Sequence, residues 1–274
     1  MARWIFKPVC GVLLLLAVSC TLWAQPTPAA IAAFNAYTNN LESRLARQHQ
    51  SRDTFLIPTT NDPSGETGRI KDGELIIEQL TPSTGAEVSG ALIHHWRGTA
   101  FVPGVKAADF ERVMQDFPAY PHRFSPQVLQ STLISRAGDR MQAQMRVRQK
   151  HVIPVVMDTA YDITYGRLDA QHGYSTSRST RISEIASPGT PSEHALNPEQ
   201  EHGFLWRLNT YWSYEERDGG LYLQIEAVSL TRSIPHGLGW AVGPYIKSIP
   251  RESLEFTLHS TCNALRPPQK GQPG

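Results

Sequence analysis

The sequence predicts an α+β domain in which a curved antiparallel sheet packs on one long C-terminal helix. Three observations carry this. Between residues 143 and 165 apolar side chains hold the odd positions (Met145, Val147, Ile153, Val155, Met157, Tyr161, Ile163), while Gln144, Arg146, Arg148, Asp158 and Asp162 hold even ones. A period of two marks half-buried antiparallel strands, here broken near Pro154. Asp218-Gly219-Gly220 separates two further strand-like runs, 203–217 and 221–232, as a tight hairpin. Leu254, Leu258, Thr261 and Leu265 then recur at helical spacing over residues 250–265. Strands followed by one long helix give the α+β order.

Taken from the start, Arg3 and Lys7 precede an apolar run, Val9 to Val18, that is too short to span a bilayer comfortably. Ala24 then stands at a natural cut position, so residues 1–24 are expected to be a cleaved signal peptide for export to the periplasm or medium. Ala17-Val18-Ser19-Cys20 makes a poor lipobox, which disfavours a lipid anchor at Cys20. No transmembrane anchor is expected after cleavage. Of the three Cys, Cys10 and Cys20 leave with that segment, and Cys262 remains as a small buried hydrophobe on a helix rather than half of a disulfide.

Residues 29–48 read as a helix bearing Ile31, Phe34, Leu41 and Leu45, and residues 53–73 read as loop. With a short strand at 74–80, residues 25–86 form an N-terminal appendage with little core of its own. The main domain runs from 87 to 265, and residues 266–274 form a frayed tail. It opens with a strand at 91–102. Phe110, Val113, Met114 and Phe117 then define one face of a short helix, closed by Pro118 and Pro121. Residues 174–185 are a weaker strand and 186–202 a surface loop. In the hairpin, paired positions sum to an odd number. Trp206, Leu208, Thr210, Trp212 and Tyr214 therefore share the apolar face with Leu223 and Ile225. Arg207 and Glu226 fall on the opposite face, where they are expected to be solvated and worth little as an ion pair. Pro250 suits the first turn of the last helix.

Composition excludes several function classes. With 26 Lys+Arg against 25 Asp+Glu, the net charge of +1 provides no electrostatic footprint for nucleic acid. Ten His invite a metal site, but His94 and His95 are adjacent and point to opposite faces of a strand. No metal-binding spacing, Gly-x-Ser-x-Gly elbow or phosphate loop occurs, and no cofactor is expected. Gly237-Leu238-Gly239 to Gly243 reads as a flexible approach to the last helix or a cavity lid. His151, on the apolar parity of its strand, is either a satisfied core histidine, a handle for a ligand headgroup, or an acid/base.

The run 105–121, with Asp116-Phe117-Pro118-Ala119-Tyr120-Pro121, resembles the first helix of START-like proteins, the polyketide cyclase and coenzyme Q-binding superfamily. The hairpin 211–232 and the closing helix from Ile249 fit the same resemblance, which spans roughly residues 88–265. It implies a helix-grip cup, a curved sheet wrapped around the C-terminal helix, with an internal cavity. Members include lipid carriers, cyclases, dehydratases and receptors, and fold alone does not choose among them. The expected lining of such a cup is Met114, Phe117, Met145, Gln149, His151, Trp206, Leu208, Trp212, Tyr214, Ile225, Leu254 and Leu258. Periodicity leaves open whether the aromatic members fill a core or line a hollow. The leading expectation is a binder or carrier of a lipid or other hydrophobic small molecule. The alternatives are a cyclase- or dehydratase-type enzyme in the same pocket, or an envelope module that docks a partner through residues 29–48.

Overall fold

The computed structural model describes residues 25–58, 63–81, 86–149, 154–233 and 239–266, with side chains throughout except at 239–247. The chain runs α1 (Pro28–Gln48), α2 (Pro63–Lys71), β1 (Ile76–Gln79), β2 (Ala86–Val88), β3 (Ala91–Pro103) and α3 (Ala107–Gln115). A 3-10 turn at Phe117–Ala119 leads into α4 (Tyr120–Arg123), β4 (Val128–Ala137), β5 (Arg140–Gln149), β6 (Val155–Arg167) and β7 (His172–Ala186). The two-residue β8 (His194–Ala195) precedes β9 (Arg207–Arg217), β10 (Gly220–Arg232) and α5 (Gly239–Leu265).

The strands form one antiparallel, unclosed sheet in the order β1-β3-β10-β9-β7-β6-β5-β4, with β2 beside β3 and β8 beside β7. This is the α+β order expected from the sequence, a curved antiparallel sheet gripping a long C-terminal helix, with α1 and α5 on opposite faces. The β9–β10 turn is Asp218-Gly219, with φ of 55° and 75°. Positive φ at both central residues is what a type I′ hairpin needs, and Asp-Gly supplies it cheaply. Trp212 pairs with Ile225 and Tyr214 with Leu223, which puts these residues on the α5 face.

Close approach of α5 depends on one glycine. A Cβ at Gly98 would come within 3.1 Å of Leu258 Cδ2 and 3.5 Å of Leu254 Cδ2. Leu254, Leu258 and Cys262 thereby seat against Ala100, Leu223 and Ile225 in the largest core cluster. Burial pushes the Cys262 thiol up to about 11, as a small hydrophobe requires. The helix begins eleven residues earlier than its apolar stripe suggests, so Pro250 lies inside it rather than in its first turn. Gly239 to Gly243, expected as flexible approach or lid, belongs to the helix, while Gly237 and Leu238 lie outside the described residues.

The opposite face of the sheet is covered, contrary to the solvated face expected there. Thr27 caps α1 by accepting the Ala30 N–H at 3.0 Å, with Pro28 in the first turn. Phe34, Leu41 and Leu45 pack on Ile93, Val228 and Leu230, each contributing roughly 1.5–3 kcal/mol by burial. Under the next turns of α1 sits Glu226, only 2% exposed. It accepts from Arg44 at 2.5 Å and from His95 Nε2 at 2.8 Å, with Arg97 Nε at 3.4 Å. The Tyr37 hydroxyl meets His95 Nδ1 at 2.9 Å. Glu226 is thus a buried ion-pair partner. The helix that buries it lies some 180 residues away in sequence, which hid it from strand parity alone.

Two further differences concern segments read as loop. Where loop was expected over 53–73, α2 forms and sets Ile70 against Phe101 and Tyr222 on the same outer face. α3 ends at Gln115, and the prolines that follow lie in new turns: Pro118 is the second residue of the 3-10 turn and Pro121 sits in the first turn of α4. The strand β4 carried no clear alternation and was not anticipated.

Candidate functional site

Sheet and α5 diverge toward the β4–β7 side, and a cavity of about 220 Å³ lies between them. Strand parity builds its floor. Odd residues of β5 and β6 (Met145, Val147, Met157, Tyr161, Ile163) face inward, continued on β7 by Ser175 and Ser177 and on β9 by Leu208, Thr210 and Trp212. α3 and the turns after it close one side with Met114, Phe117, Tyr120 and Phe124, and α5 brings Phe256 and Thr257 from above.

Ring packing and hydrogen bonds hold the aromatic wall: Tyr120 lies 5.1 Å from Phe117 and 4.8 Å from Phe124 between ring centroids. Tyr120 donates its hydroxyl to Met114 O at 2.6 Å, and Tyr165 donates to the same carbonyl at 3.3 Å. Burial pushes the Tyr161 phenol up to about 12 and raises those of Tyr120 and Tyr165 as well, so all three stay neutral. Behind Trp212, Phe110 meets the Trp212 and Tyr214 rings at 5.2 and 4.6 Å, and Tyr214 donates to Glu111 at 2.6 Å. Glu111 is also paired with Arg167. Burial opposes its ionised form, but the Arg167 and Tyr214 hydrogen bonds outweigh it, and the carboxyl is held below its usual range. This polar pair lies behind the wall, outside the cavity.

The residues predicted from sequence divide cleanly. Met114, Phe117, Met145, Gln149, Leu208, Trp212 and Ile225 meet around the cavity. Tyr214, Leu254 and Leu258 are core, filling the narrow part of the cup against α3 and Gly98. Trp206 lies on the other face, packed with Val228 and Leu230 under α1. β9 starts only at Arg207, so the parity that would have turned Trp206 inward does not extend to it. His151 lies outside the described residues. Sequence reasoning missed Tyr120, Phe124, Val128 and Phe256. The Tyr120-Pro121 run marked a helix end, and nothing in it signalled that the next turn folds back over the cavity.

Chemically the described lining offers no His, Asp, Glu, Lys or Cys, and Arg148 alone among its described residues is charged. The described residues contain no cluster of three or more His, Cys, Asp or Glu fit to hold a metal. A pocket of this kind sorts ligands by shape and apolar area.

Comparison with known proteins yields similarity of shape at low sequence identity. A STAR-related lipid transfer protein of Xanthomonas axonopodis is 17% identical with a TM-score of 0.40, over 67% of this chain and 98% of that one. The human STARD10 is 10% identical with a TM-score of 0.41, over 75% and 80%. The Zhui aromatase/cyclase of a Streptomyces species is 12% identical with a TM-score of 0.41, over 63% and 91%. No protein-family model and no curated protein matches the chain.

Proposed function

We propose that this protein is an exported binder or carrier of a hydrophobic small molecule held between the sheet and α5. One observation carries the reading: a mainly apolar, aromatic-walled cavity of about 220 Å³ whose described lining holds a single charged residue. That is about one and a half times the roughly 150 Å³ apolar cavity that takes up benzene. The size suits a two-ring aromatic or one segment of a longer lipid, and a whole diacyl lipid would not fit without opening the cup. Proteins of similar shape carry names of both lipid transfer and aromatase/cyclase activity, so the choice between carrier and enzyme is made on the lining. The described walls supply no acid/base pair, which favours the carrier. The docking reading of residues 29–48 is disfavoured because the apolar side of α1 is occupied by the sheet. Export follows from residues 1–24 and belongs to the same proposal. Organic extraction and native mass spectrometry of the purified protein test it. A stoichiometric co-purified hydrophobe is expected, and turnover of a polyketide-like substrate without accumulation of a bound ligand would contradict it.

A further inference from the structure

Three hydroxyls interrupt the apolar floor of the cavity. Ser177 is directly opposite Thr210 in the β7–β9 register, and Ser175 is directly opposite Trp212. Cross-strand partners place their Cβ atoms roughly 5 Å apart and alternate residues of one strand roughly 7 Å apart, so the three form one compact patch beside the Trp212 ring. Two threonine hydroxyls of the lining are already engaged. Thr159 donates to Met145 O at 3.0 Å and Thr257 to Ser253 O at 2.8 Å. Among the described residues, Ser175, Ser177 and Thr210 make no side-chain hydrogen bond; Ser175 is buried, at 6% exposure, and Ser177 and Thr210 are half-buried. Their hydroxyls open onto the cavity, where apolar side chains would serve a filled core better.

The patch also has a definite place along the cup. Gln149 pairs with Val155 at the start of β6, whereas Ser177 pairs with Ile163, eight residues further along the same strand. At about 3.3 Å per residue, roughly 26 Å of strand separates them. Arg148, the charged residue of the described lining, pairs with Val156 at the Gln149 end. No charge faces the hydroxyl patch among the described lining residues.

We propose that Ser175, Ser177 and Thr210 form a polar subsite that docks a neutral carbonyl or hydroxyl of the cavity's hydrophobic ligand. The inference rests on the carrier reading and narrows it. Each hydroxyl both donates and accepts, so the patch serves a ketone or an alcohol equally. A carboxylate or phosphate would bring a full charge to a place with no cation to meet it. A plain hydrocarbon would leave all three hydroxyls unmatched.

Calorimetric titration of the full chain with naphthalene, 2-naphthol and 2-naphthoate tests this, using wild type and Ser175→Ala/Ser177→Ala/Thr210→Val. Wild type is expected to bind 2-naphthol about tenfold more tightly than naphthalene, and 2-naphthoate more weakly than 2-naphthol. In the triple variant the 2-naphthol preference disappears while naphthalene binding is retained, and the melting temperature stays level or rises. Should the triple variant fail to fold, Ser177→Ala alone is expected to reduce the preference. Equal wild-type affinity for naphthalene and 2-naphthol, tight 2-naphthoate binding, or an undiminished preference in the folded variant would overturn the subsite and leave the carrier reading standing. Binding of none of the three probes by wild type would overturn both.

Discussion

Glu226 shows how one residue's role changes with what covers it. Burial alone would raise its carboxyl, but the His95 hydrogen bond and the Arg97 and Arg44 guanidiniums hold it down at about 2. Removing one partner of such a set strands the others. Glu226→Ala is therefore expected to cost about 3–5 kcal/mol in urea unfolding, far above an exposed ion pair. A loss under about 1 kcal/mol would mean that the cluster is open to water. The same site gives a pH dependence. A carboxyl at 4.5 when unfolded and about 2 when folded stabilises above pH 4.5, and that contribution is lost as pH falls toward 2. His49 and His94 act earlier. Burial lowers both to about 4 from 6.5, so the unfolded chain takes up their protons first, and stability falls between pH 6.5 and 4. Combining His49→Gln with His94→Gln should flatten the dependence of the urea midpoint over that upper window and leave the lower one unchanged.

At the scale of elements, what was legible in the sequence followed local periodicity. Odd-position apolar residues of β5 and β6 and the Asp218-Gly219 turn gave the right faces, because strand parity and turn chemistry are properties of neighbouring residues. Met145, Leu208 and Trp212 face the cavity for that reason. Misplacements arose where distant segments decide. Trp206 sits before β9 begins and turns toward α1, and the polar face with Glu226 is buried by that same helix. Tyr120 and Phe124 reach the cavity only because two short turns fold back after Gln115. No periodic signal announces such a fold-back. The seat of α5 on β3 makes a sharper test of element packing. Gly98→Val would drive methyl groups into Leu258 and Leu254, and a loss of about 1–3 kcal/mol is expected. A neutral result in urea unfolding would show that α5 can lift from the sheet at no cost.

For the whole molecule, one sheet serves two layers of different chemistry. Its outer face holds α1 and α2 over a mixture of apolar and buried ionic contacts, and its inner face holds α5 over a core at one end and a cavity at the other. No helix among the described residues is long and apolar enough to cross a membrane. Under the proposed export, expression in a secreting host should yield a chain whose N-terminal sequence starts at Gln25, and retention of Met1 on the exported protein would count against cleavage. The central claim is that the hollow between sheet and α5 takes an apolar guest, and calorimetric titration with naphthalene probes it most directly in wild type and Leu208→Trp, whose indole is meant to fill the space. Saturable one-to-one binding with a negative heat-capacity change is expected for wild type, lost in the variant at an unchanged melting temperature. Absence of saturable binding by wild type, or equal binding by a folded Leu208→Trp, would contradict the account.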